Sequence, residues 1–116
     1  MLTREAAEKA GYVQVDPKTT RHVKYPNIFS IGDASNLPTS KTIAAITAQT
    51  PVLVHNLHKA VHKTQLTAEY TGYTSCPLIL DNSDVLLAEF KYGLVPDETF
   101  SSIPGLDQSI PNKVSY

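Results

Sequence analysis

The chain has 116 residues, 41% apolar and 18% charged, with a formal net charge of −1 and a single cysteine. That is one domain or part of one, too apolar for a disordered segment and lacking the basic surplus that draws proteins to nucleic acid or anionic membranes. No apolar run reaches membrane-spanning length, the start of the chain lacks the apolar stretch of a signal peptide, and Cys76 alone excludes an internal disulfide or a multi-cysteine zinc site.

Residues 3–10 are good helix formers, with Thr3 as the expected N-cap and Gly11 as the stop. Tyr12-Val13-Gln14-Val15 reads as a short strand ended by Asp16-Pro17. A polar connector follows, and the run Ile28-Phe29-Ser30-Ile31 then stops abruptly at Gly32-Asp33, the pattern of a buried strand. Ser40 is placed to cap a helical stretch over residues 42–48. Proline lacks an N–H and clashes with the preceding turn, so Thr50-Pro51 predicts a kink or the cap of a second helix. That helix runs to about Lys63, with Leu53, Leu57, Ala60 and Val61 on one face. Leu78-Ile79-Leu80 and the run from Val85 to Phe90 flank Asp81-Asn82-Ser83-Asp84 as the arms and loop of a hairpin. Beyond Tyr92 no regular element is expected, given Pro96, Pro104 and Pro111.

The five glycines stand too far apart to form a phosphate-cradling loop. A dinucleotide-binding fold therefore does not start here, though it can end here. The run closing at Gly32-Asp33 would deliver a carboxylate to the carboxyl edge of a sheet, where open α/β sheets bind ligands. Asp33 could accept a hydrogen bond from a sugar-like hydroxyl, and the next helix N-terminus would favour an anion. Taken alone, the same Gly-Asp is equally a plain strand-to-turn ending. Lys41 at a helix start opposes the macrodipole, unless it is simply a surface lysine beside a cap. Cys76, in an expected polar turn before Pro77, is either an accessible thiol or an inert one. His55, His58 and His62 have a spacing that can hold a metal, but at about 100° per residue they fall opposite Leu53, Leu57 and Val61. A solvated basic face is the reading adopted, with no metal.

The stretch from Tyr25 to Asn36, centred on Ile28-Phe29-Ser30-Ile31-Gly32-Asp33, resembles the second FAD-binding motif of two-dinucleotide-domain flavoproteins. Arg21 stands where that motif usually places a threonine, and Thr20 lies one position off. With Leu37-Pro38-Thr39-Ser40-Lys41-Thr42 and Tyr73-Thr74-Ser75-Cys76-Pro77-Leu78 in the same order and spacing, the chain closely resembles the mitochondrial-type sulfide:quinone oxidoreductase family over residues 10–100. The resemblance implies an α/β fold: the C-terminal piece of a two-dinucleotide-binding-domain flavoprotein. Residues 1–63 would end the FAD domain, and residues 64–116 would form a β-hairpin module with an irregular tail.

In that family sulfide is oxidised to sulfane sulfur or persulfide, and electrons pass through FAD to ubiquinone. By position, Cys76 corresponds to the family's second redox cysteine, and Gly32 and Asp33 to the ribityl-binding turn. Lys41 and Thr42 correspond to the helix start at the flavin edge, where an anion formed on reduction would give the lysine its reason. Gln49 resembles a glutamine near the flavin and quinone pocket of related quinone reductases. The implied cofactor is FAD. The implied partners are sulfide, ubiquinone, a sulfur acceptor and the N-terminal half of the parent, with no nucleic acid. The implied location is the mitochondrial inner membrane, with membrane contact only through regions this chain does not include. Alone, the chain should be catalytically inert, marginally stable and prone to self-association. Two rivals stand beside this reading. A flavoprotein quinone reductase of the type II NADH dehydrogenase kind would need no thiol for hydride transfer, and a small binding or structural module would have a self-sufficient core.

Overall fold

A computed structural model describes residues 11–80 and 84–99, together with the backbone of Asn112–Lys113. The helix expected over residues 3–10 and the hairpin tip at 81–83 lie outside the described residues. In chain order the regular elements are helix α1 (Ile43–Val61) and strands β1 (Thr74–Ile79), β2 (Asp84–Lys91), β3 (Val95–Pro96) and β4 (Asn112–Lys113).

The two strands expected in the first third are not regular strands. Both segments are extended but joined only by single bridges: Val13 with Ser35, Val15 with His22 and Arg21 with Phe29. A ladder needs a neighbouring backbone that stays alongside for several residues, and here it does not. Val13 exchanges bonds with Ala34 and Asn36, and the next donor along, Val15 N–H, goes to the Asn36 side-chain oxygen at 2.9 Å. A side chain has taken the place of the next rung. The segments still build the core, in which Val13, Val15, Leu37 and Tyr70 are buried and Ile28, Ala48, Val52, Tyr73 and Tyr92 pack against them.

Helix α1 corrects the sequence reading in three ways. It is one helix, continuous through Pro51. Proline at an interior position removes the donor to the Thr47 carbonyl, while the Thr47 and Thr50 hydroxyls bond back to the Ile43 and Ile46 carbonyls at 2.9 and 2.8 Å. Its N-cap is Thr42, not Ser40, because Thr42 Oγ1 accepts the Ala45 N–H at 3.1 Å. Its buried face is Ala45, Gln49 and Asn56, whereas Leu57 and Val61 are 41% and 70% exposed. Two amides decide the orientation. The Asn56 side chain donates to the carbonyls of Thr19 and Ala68 and accepts the Ala68 N–H, and Gln49 Oε1 accepts the Gly32 N–H. Loop backbone groups buried without such partners would each cost about 1–3 kcal/mol, so the polar anchors outweigh the apolar stripe.

The hairpin forms as expected. β1 and β2 are antiparallel in a register running from Thr74↔Phe90 to Ile79↔Val85, and Leu80 N–H closes on the Asp84 carbonyl at 2.9 Å. The other edge of β2 is shared by β3 near Phe90 and by β4 near Asp84. The tail expected to be irregular thus contributes two short strands, because the unpaired edge of β2 offers them donors and acceptors. Gly72, just ahead of β1, has φ +86°, and a Cβ there would lie 2.3 Å from the Tyr92 ring. Only glycine lets the strand enter so close to that ring.

Candidate functional site

The run Ile28–Ile31 delivers a short 3-10 turn, Gly32–Ala34, to the start of α1. Gly32 has φ +62°, and a Cβ there would sit 3.1 Å from the Ile46 side chain, so both conformation and space call for glycine. Its N–H goes to buried Gln49 at 2.8 Å, and its carbonyl accepts the Ser35 hydroxyl at 2.8 Å. With Gly32 held on both sides, Asp33 is left exposed, and its carboxylate makes no hydrogen bond among the described residues.

The helix start lies beside this turn. Thr42 satisfies the Ala45 amide, which leaves the amides of Ile43 and Ala44 as the open donors of the first turn. Ile43 is 84% exposed, so that end of the helix is reachable from solvent. Lys41 Nζ donates to the Ser35 carbonyl at 2.7 Å and lies 4.9 Å from the centre of the Tyr12 ring. These contacts fold the lysine's charge back over the Gly-Asp turn. Opposing the macrodipole is thereby offset by a charge-assisted bond and a ring contact.

Cys76 lies on β1 rather than in a polar turn, and its thiol is exposed. The strand is buried at Thr74 and Ser75 and exposed from Cys76 onward. Alternation along a strand puts Thr74 and Cys76 on one face and Ser75 on the other. On the first face, the Thr74 and Thr42 hydroxyls share a bond of 2.9 Å, joining β1 to the cap of α1. Thr39 Oγ1 adds a bond to the Gly72 carbonyl at 3.2 Å. On the second face, Ser75 stands opposite Glu89, which is 4% exposed. The Glu89 carboxylate accepts from the Tyr73 hydroxyl and from the Thr99 hydroxyl and amide. Burial first, then the hydrogen bond to Glu89 and the charge of that carboxylate, push the Tyr73 phenol above the ordinary tyrosine value.

Gln49 and Lys41 are therefore joined at the Gly-Asp turn, through Gly32 and Ser35, and Thr42 ties the strand of Cys76 to the helix start beside it. Ser35, Thr74 and Glu89 had no role in the sequence reading. The Thr-x-Cys spacing did carry a signal for Thr74, since residues two apart in a strand share a face. Glu89 sat in an apolar run and carried none. His55, His58 and His62 are exposed, with His55 bonded to Thr67 at 2.8 Å and the other two rings 4.3 Å apart. Among the described residues no group of three or more His, Cys, Asp or Glu is placed to hold a metal, and no helix is long and apolar enough to cross a membrane.

No family model matches the chain. Among curated proteins it is 52% identical over 113 residues to a protein of Schizosaccharomyces pombe named "Sulfide:quinone oxidoreductase, mitochondrial", covering 97% of this chain and 25% of that protein. Proteins of the same name in Dictyostelium discoideum and Mus musculus are 56% and 49% identical, over 91% and 81% of this chain and 22% and 21% of theirs. The chain is similar to one segment of mitochondrial sulfide:quinone oxidoreductases. It spans about a quarter of the length of these relatives. Among solved structures, a chain in the cryo-EM structure of the Tetrahymena thermophila mitochondrial ATP synthase F1Fo tetramer superposes with a TM-score of 0.77 at 30% identity. That match covers 89% of this chain and 25% of the other.

Proposed function

We propose that the chain is the C-terminal part of a mitochondrial sulfide:quinone oxidoreductase. The whole enzyme oxidises sulfide to sulfane sulfur or a persulfide and passes the electrons through FAD to ubiquinone. Residues 1–63 end its FAD domain in this reading, and residues 64–116 form an added hairpin module. The observation that carries the proposal is the tie between Thr42 and Thr74, which anchors the strand of the only cysteine to the open start of α1. Identity of about half with three proteins of that name supports it.

The residues present fit one rim of a flavin site. Asp33 offers a free carboxylate to a ribityl hydroxyl, next to a glycine that keeps the backbone accessible. The amides of Ile43 and Ala44, with Thr42 shaping their turn, present donors and the positive end of the helix to the pyrimidine edge. Lys41 holds a fixed positive charge beside the same turn, and Gln49 supports the site by fixing Gly32. FAD, when bound, supplies two-electron acceptance. Cys76 supplies an exposed sulfur that works with a second cysteine of the parent to capture sulfide. The chain alone holds one of the two cysteines and one rim of the flavin site, which is the basis for its proposed inactivity.

A type II NADH dehydrogenase-like quinone reductase would leave Cys76 without a task. A non-catalytic structural module is the second reading, and it draws on the 30%-identical chain of the ATP synthase assembly. In the full-length FAD-loaded parent, sulfide should bleach the flavin absorbance, and Cys76→Ser should abolish that bleaching while FAD stays bound. Bleaching at an unchanged rate in the Cys76→Ser protein would overturn the assignment of the thiol, and no bleaching in the parent itself would favour the structural module.

A further inference from the structure

β1 changes character at Cys76. Thr74 and Ser75 are 4% and 9% exposed, and every residue of the strand from Cys76 onward is exposed. β1 also lies at the edge of the sheet, with β2 as its one partner among the described strands. The sulfur therefore sits on the first free residue beyond a two-residue anchor, and the anchor sets its position. On one face, buried Ser75 is paired across the strands with the hydrogen-bonded Glu89. On the other face, the one shared by Cys76, the anchor is the Thr74 hydroxyl, 2.9 Å from Thr42 Oγ1 and 3.4 Å from the Ser40 carbonyl.

From this geometry we infer that Thr74 is a positioning residue for the thiol chemistry: its hydroxyl registers Cys76 against the N-cap of α1. The inference rests on the flavin-site reading above and goes beyond it, since it assigns a task to a buried side chain that acts through Thr42 and not to the sulfur itself. Thr42 does two jobs in the same atom, capping Ala45 and accepting or donating to Thr74. Any slip of the strand is thus felt at the helix end. Cys76 and Thr74 are about 7 Å apart along the strand, so losing the tie would displace the sulfur by tilting β1 as a unit.

The test compares the full-length FAD-loaded parent with its Thr74→Val and Thr74→Ser variants. Valine keeps the shape and removes the hydroxyl, and serine restores it. Three quantities are read: bound FAD per chain, the KM for sulfide, and the rate of sulfide-driven flavin bleaching. Misplacing a reacting group by about 1 Å can cost up to a hundredfold in rate. Thr74→Val should accordingly bleach about ten- to a hundredfold more slowly, with FAD content unchanged, the fold retained and the loss in kcat rather than KM. Thr74→Ser should recover most of the rate. A Thr74→Val enzyme that bleaches at the parent's rate overturns the inference, as does a loss that follows FAD content or is not recovered by serine. A parent that never bleaches with sulfide overturns instead the reading on which the inference rests.

Discussion

Gly32 shows how far a single residue could be read from sequence. Its place after an apolar run and before an aspartate marks a turn near a ligand edge, and the structure adds φ +62° and the close Ile46 side chain. Lys41 was legible as an anomaly, a cation at the wrong end of a helix. The carbonyl of Ser35 and the ring of Tyr12, which resolve it, are brought there by the fold and have no sequence signature. Thr20 was not legible at all. It is fully buried at φ +65°, and its hydroxyl has no hydrogen-bond partner among the described residues. A buried hydroxyl without a partner costs about 1–3 kcal/mol. Thr20→Val keeps the branched shape and the backbone, so it should raise the unfolding free energy by about 1 kcal/mol in urea titrations. A lower midpoint would show that the hydroxyl is satisfied after all.

Elements were legible where a local pattern decided them. The hairpin follows from two apolar arms around Asp81-Asn82-Ser83-Asp84, and the observed register places those arms face to face. The orientation of α1 was not legible, because Gln49 and Asn56 turn inward to serve Gly32, Thr19 and Ala68, and the positions of those loops cannot be read from helical periodicity. The extended segments around Val13 and Phe29 failed as strands for a related reason, since a strand depends on a neighbour that apolar alternation does not specify. Pro51 tests the helix directly. Because α1 is continuous, Pro51→Ala restores the missing N–H opposite the Thr47 carbonyl. Helical content should hold or rise, and stability should increase by about 2 kcal/mol. A loss of stability would mean that the chain uses proline to divide two helices.

Across the whole molecule, tyrosines join the ends of the described chain. Tyr92 from the C-terminal third donates to the Pro17 carbonyl and meets Tyr70 edge-to-face, with ring centres 5.4 Å apart. Burial, reinforced by Tyr70 and Asp16, pushes the Tyr92 phenol well above its ordinary value, and Tyr73 shifts the same way. The folded state therefore holds these protons more tightly than the unfolded chain does. That stabilisation is fully present below the ordinary tyrosine pKa of 10.0 and is lost as pH rises beyond it. Thermal midpoints should be flat up to about pH 9 and fall above about pH 10, and a flat profile through about pH 11.5 would contradict this. The surface carries a second whole-molecule property. Ile43, Val54, Leu57 and Val61 are exposed along α1, and β1 lies at the sheet edge, features that favour association of isolated copies.

The central claim is that these residues form one rim of a flavin site that the rest of a longer enzyme completes. Visible absorbance after mixing with excess FAD and desalting tests it most directly, with this chain and the full-length parent treated alike. The account predicts a colourless chain and a yellow parent. Flavin retained by the chain alone would contradict it, because residues 1–116 would then build a complete site.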